Sequence, residues 1–394
     1  MRYRFNDFIL DAARRELSRA GKPVAVEPQV FDLIAYLIQN RERVVSRDDL
    51  IDGIWQGRIV SESTLATRIN AARKAIGDDG TAQRLIRTIQ RKGVRFVGTI
   101  EDEEAPRTKP AAEMPAQSIT FCRTSDGVSL AVGTAGRGPT LLKAANWLTH
   151  VEHDWQSPIW APMYRRLAEV ARVVRYDGRG NGLSDREVAD ISFAGFGRDL
   201  ETVVDAAGLD RFALLGISQG GATAIAYAVR HPERVSHLIL YGAYAQGRNR
   251  RGSTEEREAA TAFATILRQG WGNAHSAFMR AFSSIYLPNG TPEQIQWFAE
   301  HQRQTTSGDM AARIRQACDE IDVVALLPQV RVPTLVLHAR QDNVVPLDQG
   351  RLIAGNIPGA RFVSLESENH VPLLGEPAWT RLLDEIEAFL KERA

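Results

Sequence analysis

The 394-residue chain carries 49 Lys/Arg against 48 Asp/Glu, with 44% hydrophobic and 25% charged residues. These values exclude disordered, fibrous and supercharged classes, and the length points to two or three folding units. No apolar run is long enough to span a bilayer, and MRYRFNDFIL is not a secretory leader, so a soluble cytoplasmic protein without a membrane partner is expected.

The near-neutral total hides an asymmetry. Residues 1–100 hold 18 Lys/Arg and 12 Asp/Glu, whereas residues 101–394 hold 31 and 36. A basic head on an acidic body suits a chain in which only the head approaches a polyanion. Cys122 and Cys318 stand far apart and form no metal-ligand pattern. They read as reduced core thiols, and neither a metal nor a cofactor is expected.

In chain order, strand-like stretches at Tyr3–Phe8 and Arg15–Leu17 precede three helical patterns. Phe31, Leu33, Ile34, Leu37 and Ile38 form an apolar stripe over 28–40. Ser46 with Asp49 marks a helix start. Ser61 opens a third helix whose inner side carries Leu65, Ile69, Ala72 and Ile76. A hairpin over Leu85–Ile89 and Val94–Val97 closes the head, turning at Arg91-Lys92-Gly93.

Around the third helix stand Thr64, Thr67, Arg68, Asn70, Arg73 and Lys74, types that read base edges or clamp phosphates in a major groove. Arg84, Arg87, Arg91, Lys92 and Arg95 add a basic hairpin suited to backbone contacts. Singly, each of these residues reads better as part of a solvated basic face. Together, VVSRDDLIDGIW, VSESTLATRINAARKAIGDDG and LIRTIQRKGVRFVG resemble the OmpR/PhoB-type winged helix-turn-helix over about 2–98. The resemblance implies double-stranded DNA as partner, a recognition helix at 61–76, a wing at 85–97 and homodimers on DNA. Val94 departs from the usual Gly-Tyr before Arg-Phe. Placement at the N-terminus is similar to that in ToxR/CadC-like regulators.

Residues 101–117, with four leading acids and three prolines, read as a linker between a head at 1–100 and a body at 118–394. In the body, apolar runs at Thr140–Leu142, Ala171–Val174, Phe212–Leu215, His237–Leu240, Thr334–Leu337 and Phe362–Leu365 alternate with helical segments. That alternation predicts a mostly parallel sheet covered on both faces. It pauses over 243–326, where Trp271, Phe278, Phe282, Tyr286 and Trp297 mark a helical cap.

The sharpest chemical signal is Gly216-Ile217-Ser218-Gln219-Gly220, set between an apolar strand and a helix of small residues. The serine must sit on a turn tight enough to project its hydroxyl, and flanking glycines let strand and helix pass closely. A serine nucleophile needs a histidine base and an orienting acid. All eight histidines lie in the body, and His370 follows the last strand. His338, on a strand, reads as a packed core residue. Asp342 follows the preceding strand, giving the order Ser218, Asp342, His370.

These segments, with the turn Asp177–Asp185, resemble the α/β-hydrolase superfamily over about 119–393, Arg179 being a supporting residue. The resemblance implies an oxyanion hole of the Gln219 N–H and one after the third strand. Lys143-Ala-Ala-Asn146-Trp147 replaces the usual His-Gly there, which assigns the second donor to Trp147. Asn146, His150 and Trp155 are candidate ligand-pocket residues.

The combined expectation is a one-component transcriptional regulator that binds, and can hydrolyse, a small ester, thioester or lactone effector. Two alternatives stand beside it. One is a serine hydrolase for which the head is only a tether; the other is a catalytically silent receptor.

Overall fold

The computed structural model describes residues 2–11, 15–55, 60–90, 92–103, 116–252, 254–271 and 277–392. The chain divides into two units, Met1–Ala112 and Glu113–Ala394.

In the first unit, β1 (Arg2–Phe5), β2 (Phe8–Asp11), β3 (Glu16–Arg19) and β4 (Lys22–Val24) form an antiparallel meander. The expected single strand Tyr3–Phe8 is in fact two strands, because Asn6 turns the chain at φ +50°. Three helices follow: α1 (Pro28–Gln39), α2 (Arg47–Trp55) and α3 (Glu62–Ala75). Pro28 lies in the first turn of α1, where its missing N–H costs nothing. Leu33, Ile34, Leu37 and Ile38 are fully buried, each contributing roughly 1.5–3 kcal/mol.

Helix α2 starts on a reciprocal cap: Ser46 Oγ accepts from the Asp49 amide (3.1 Å), and Asp49 Oδ2 accepts from the Ser46 amide (2.8 Å). At α3, Ser61 accepts from the Thr64 amide (3.2 Å). The wing is β5 (Ile86–Ile89) paired with β6 (Gly93–Phe96), and Val94 also bridges to Val45. Gly93 (φ +138°) is required at that crossing, since a Cβ would lie 2.0 Å from the Val45 carbonyl oxygen.

The linker expected from residue 101 begins later. Glu101–Glu103 forms β7, pairing antiparallel with β1 through Arg2↔Glu103 and Arg4↔Glu101. The edge of β1 offers unpaired backbone groups, and the acidic run fills that ladder whatever its composition. Most of the remaining linker expectation lies outside the described residues.

The second unit is an eight-stranded sheet in the order β15-β14-β13-β12-β10-β11-β9-β8. Its strands are β8 (Ser118–Arg123), β9 (Ser129–Ala135), β10 (Thr140–Lys143), β11 (Arg172–Tyr176), β12 (Phe212–Ile217), β13 (Val235–Tyr241), β14 (Thr334–Ala339) and β15 (Arg361–Leu365). β10 to β15 run parallel; β8 and β9 add an antiparallel edge. Every residue of β12 is buried, as a strand covered on both faces requires.

Helices α4 (Val151–Gln156), α5 (Ala161–Val170), α6 (Phe193–Ala206) and α7 (Gln219–Arg230) connect the first half of the sheet. As expected, a helical insertion separates β13 from β14. It holds α8 (Arg248–Arg251), α9 (Thr254–Gly270), α10 (Ala277–Tyr286), α11 (Pro292–Thr305) and α12 (Gly308–Asp319). Helices α13 (Leu347–Asn356) and α14 (Pro377–Phe389) complete the unit. After β10 the chain adds β11 on one side, then crosses to β12 on the other. The C-terminal ends of β10 and β12 thus flank a switch point, where open parallel sheets form crevices.

Candidate active site and DNA-facing surface

Ser218 follows β12 directly and caps α7 with φ +53° and ψ −127°. A non-glycine residue is costly there, by about 1–3 kcal/mol, and persists only where its surroundings impose it. The imposing contacts are close. A Cβ on Gly216 would lie 2.6 Å from Gly221 Cα, one on Gly220 2.7 Å from the Ala145 carbonyl oxygen, and one on Gly221 2.4 Å from Ala243 Cβ. The Ser218 amide is fixed by the Tyr241 carbonyl at 3.0 Å.

Asp342, beyond β14, and His370, beyond β15, meet with Nδ1 to Oδ2 at 2.6 Å. A carboxylate only accepts, so Nδ1–H donates. The second oxygen, Oδ1, accepts from the Val344 and Val345 amides at 2.8 and 2.9 Å. Burial pushes the Asp342 pKa upward, but the charge and hydrogen bond of His370 and the Val345 amide hold it below its usual range. The His370 amide donates to the Tyr286 carbonyl (3.0 Å), and the two rings meet edge to face at 5.7 Å.

The pair packs beside Gly242, at the end of β13. Gly242 follows Tyr241, whose carbonyl holds Ser218. A Cβ on Gly242 would lie 3.1 Å from His370 Cε1 and 3.6 Å from Asp342 Oδ2. Ser218, Gln219 and Trp147 share one cleft with Tyr244, Tyr286, Val344, Val345 and a group of cap arginines.

The other expected pocket residues lie elsewhere. Asn146 is buried with its amide oxygen bonded to Lys143 Nζ, His150 Nδ1 accepts the His153 amide at the start of α4, and Trp155 packs under Arg175 at 5.6 Å. None of the three lines the Ser218 cleft. Sequence proximity to β10 suggested otherwise, but the ammonium of Lys143 turns inward and draws Asn146 with it. Burial lowers the Lys143 pKa from 10.5 to about 7, while burial raises Asp154 from 3.8 to about 6.

His150, Glu152 and His153 bring ligand atoms within 4.8 Å of one another. The two imidazoles, however, stack nearly parallel with ring centroids 3.7 Å apart, so no single ion lies in the plane of both. Arg179 is fully buried on Asp199 and Asp126, at 2.8 Å from each, and acts as a strut between turn and α6.

On the head, Ser63, Thr67, Asn70 and Lys74 are exposed along one face of α3 at spacings of four, three and four residues. Lys92, Arg95, Arg84 and Arg87 are exposed on and beside the wing. Thr64 is half-buried within the cap of α3, and Arg68 is paired with Glu27. Arg73 departs from the expectation. It is buried, bonding the Ile86 carbonyl at 3.0 Å and Thr88 Oγ1 at 2.8 Å, so it ties α3 to the wing. Arg91 lies outside the described residues. Among those described, no helix is long and apolar enough to cross a membrane.

An eight-stranded, mostly parallel sheet with a glycine-braced turn at its switch point defines the class: the chain belongs to the α/β hydrolase family, its residues 156–377 matching the α/β hydrolase fold. Residues 21–96 match the C-terminal domain of transcriptional regulatory proteins. The body is thus a hydrolase domain and the head a domain of regulator type. A Caulobacter protein whose name assigns it to carbamate hydrolysis (RutD) is 30% identical over 205 residues, covering 51% of this chain and 74% of the relative. A hydrolase from Pseudomonas aeruginosa aligns with a TM-score of 0.59 and 26% identity over 70% of this chain and 99% of that one. An esterase from Exiguobacterium antarcticum gives 0.60 and 25% over 69% and 99%.

Proposed function

We propose that the chain is a one-component transcriptional regulator whose hydrolase domain binds and cleaves a small ester, thioester or lactone effector. The observation that carries the chemistry is the strained Ser218 turn, whose amide is held by Tyr241, the neighbour of the Gly242 on which the Asp342–His370 pair packs.

In the cycle that this supports, His370 Nε2 takes the Ser218 hydroxyl proton as Oγ attacks the acyl carbon. Asp342 holds the imidazole in the Nδ1–H tautomer and stabilises the imidazolium that forms. The developing oxyanion takes hydrogen bonds from the Gln219 amide, at the positive end of α7, and from the Trp147 amide. His370 then returns its proton to the leaving group, and water discharges the acyl-serine by the same route. Catalysis of this kind proceeds with side chains and backbone alone.

The head binds duplex DNA as a homodimer in the cytoplasm, in the ToxR/CadC-like placement. Thr67, Asn70 and Lys74 face the major groove, and Lys92 and Arg95 lie along the backbone, where Arg91 is a further candidate by sequence. A basic surface on α3 and the wing, on a domain of regulator type, supports this reading. Coupling requires that the bound effector prefer one arrangement of head, cap or dimer.

The test pairs two assays on wild type and Ser218→Ala. A fluorophosphonate probe and a p-nitrophenyl ester panel report chemistry, while retardation of promoter DNA fragments reports the head. Labelling of wild type that Ser218→Ala abolishes, with DNA binding retained in both, is the expected result. An unlabelled, inactive wild type overturns the hydrolytic part, and failure to retard any promoter fragment at low salt overturns the regulatory part.

A further inference from the structure

The cleft beside Ser218 is far more cationic than ester chemistry needs. Arg248 and Arg251 on α8 and Arg315 on α12 line it together with one carboxylate, Asp319. Arg315 is buried and bonds Asp319 through Nε at 3.1 Å, so that carboxylate is already engaged. Arg251 lies over the Tyr244 ring at 5.8 Å.

Arg248 is the informative residue. It is half-buried in the cleft wall, and no ion pair or side-chain hydrogen bond to it is found among the described residues. Burial and the neighbouring charge of Arg315 both disfavour its cationic form. The charge of Asp319 counters the desolvation of Arg248 only in part, and no hydrogen bond does so among the described residues. An incoming oxyanion would offset it, and the planar fork of arginine favours carboxylate or phosphate in a bidentate pair. Trp147, Tyr244, Tyr286, Val344 and Val345 add apolar wall to the same cleft. Ser218, an apolar wall and a group of arginines thus share one cleft, which suits a molecule that carries both an acyl carbon and an oxyanion.

We infer that the effector is an anionic acyl compound, whose carboxylate or phosphate group is held by Arg248 with Arg251 and Arg315 while its acyl carbon is presented to Ser218. The inference deepens the reading of Ser218 given above and rests on it for the position of the acyl group. Arg248 acts here in specificity, by fixing which end of the molecule enters the cap.

The experiment uses the full chain. Hydrolysis of p-nitrophenyl hemiglutarate is compared with that of uncharged p-nitrophenyl hexanoate in wild type, Arg248→Met and Arg248→Lys. In parallel, glutarate and glycerol 3-phosphate are titrated calorimetrically into Ser218→Ala and into Ser218→Ala carrying Arg248→Met. Wild type is expected to prefer the charged ester at least about tenfold in kcat/KM. Arg248→Met should lose most of that preference through KM, with Arg248→Lys in between. The tighter of the two titrants distinguishes a carboxylate from a phosphate. Hydrolysis of both esters at equal rates, with neither anion bound, overturns the inference and leaves the hydrolase standing. An equal loss on both esters in Arg248→Met marks a merely structural arginine and also overturns it. Anion binding that needs Arg248 in a protein that hydrolyses nothing upholds the inference and removes the hydrolytic reading.

Discussion

His338 Nε2 lies 2.9 Å from the Val345 carbonyl and 3.8 Å from Asp342 Oδ2, so it donates to the backbone and leaves the carboxylate to His370. A carbonyl accepts only, which fixes the proton on Nε2. The side chain is fully buried, and burial lowers its pKa, so it is held neutral. His338 thereby braces the loop that carries Asp342 without competing for its charge. Replacing Asp342 by Asn keeps the shape but reverses the hydrogen bond that selects the His370 tautomer. Ester hydrolysis by Asp342→Asn should fall by about 10³–10⁴-fold in kcat. A loss below tenfold in steady-state assays would remove Asp342 from the proposed machinery.

Gly242 (φ +54°) stands where a side chain meets both partners of the pair. Gly242→Ala adds backbone strain of about 1 kcal/mol and pushes the imidazole by several tenths of an ångström. A fall of at least tenfold in kcat is expected, with melting lowered by only a few degrees. Wild-type kcat in a folded Gly242→Ala protein would contradict the close packing of this glycine on His370.

Lys143 gives a pH-dependent prediction. Its pKa falls from 10.5 unfolded to about 7 folded, so the folded state resists protonation. Below about pH 7 the native state holds a buried ammonium, and that destabilisation, on the order of a few kcal/mol, is present in full. As pH rises from 7 towards 10.5 the unfolded state still binds the proton and the destabilisation is relieved. Lys143→Met should therefore stabilise the body relative to wild type more at pH 6 than at pH 9.5. Paired thermal melts check this. A gap that widens with pH would carry the wrong sign.

The two neighbouring cations of α3 should behave oppositely. Arg73 is buried on the wing, whereas Lys74 is exposed. Arg73→Ala strips a hydrogen bond from the carbonyl of buried Ile86 and should destabilise the head by about 1–3 kcal/mol. Lys74→Ala should leave melting unchanged, weaken DNA binding evenly across sequences, and reduce the salt slope by about one. Denaturation and salt-dependent retardation assays separate the two. Equal effects in both assays would undo the assignment.

What could be read from residue order, and what could not, follows from where each constraint resides. The tight turn at Ser218 was legible because glycines stand at set offsets around it, between a strand and a helix. Asp342 and His370 were legible because each follows an apolar strand. Arg248 and Arg315 were not, since an arginine on a polar helix reads as a solvated charge until tertiary packing turns it towards a cleft. Arg73 failed in the opposite direction: the helical period alone did not reveal that β5 would cover it. Glu101–Glu103 was misread because strand pairing to β1 is a backbone matter, to which an acidic composition gives no clue.

The carbonyl of Tyr286 clasps the His370 amide while its ring flanks the imidazole, and the same tyrosine forms part of the cleft wall. In the proposed cycle, ligand selection and proton shuttling would therefore be mechanically joined in helix α10. Transplanting a relative's cap onto this sheet would change not only which molecules enter but how firmly the base is gripped, so that altered selectivity and altered turnover would arrive as one package.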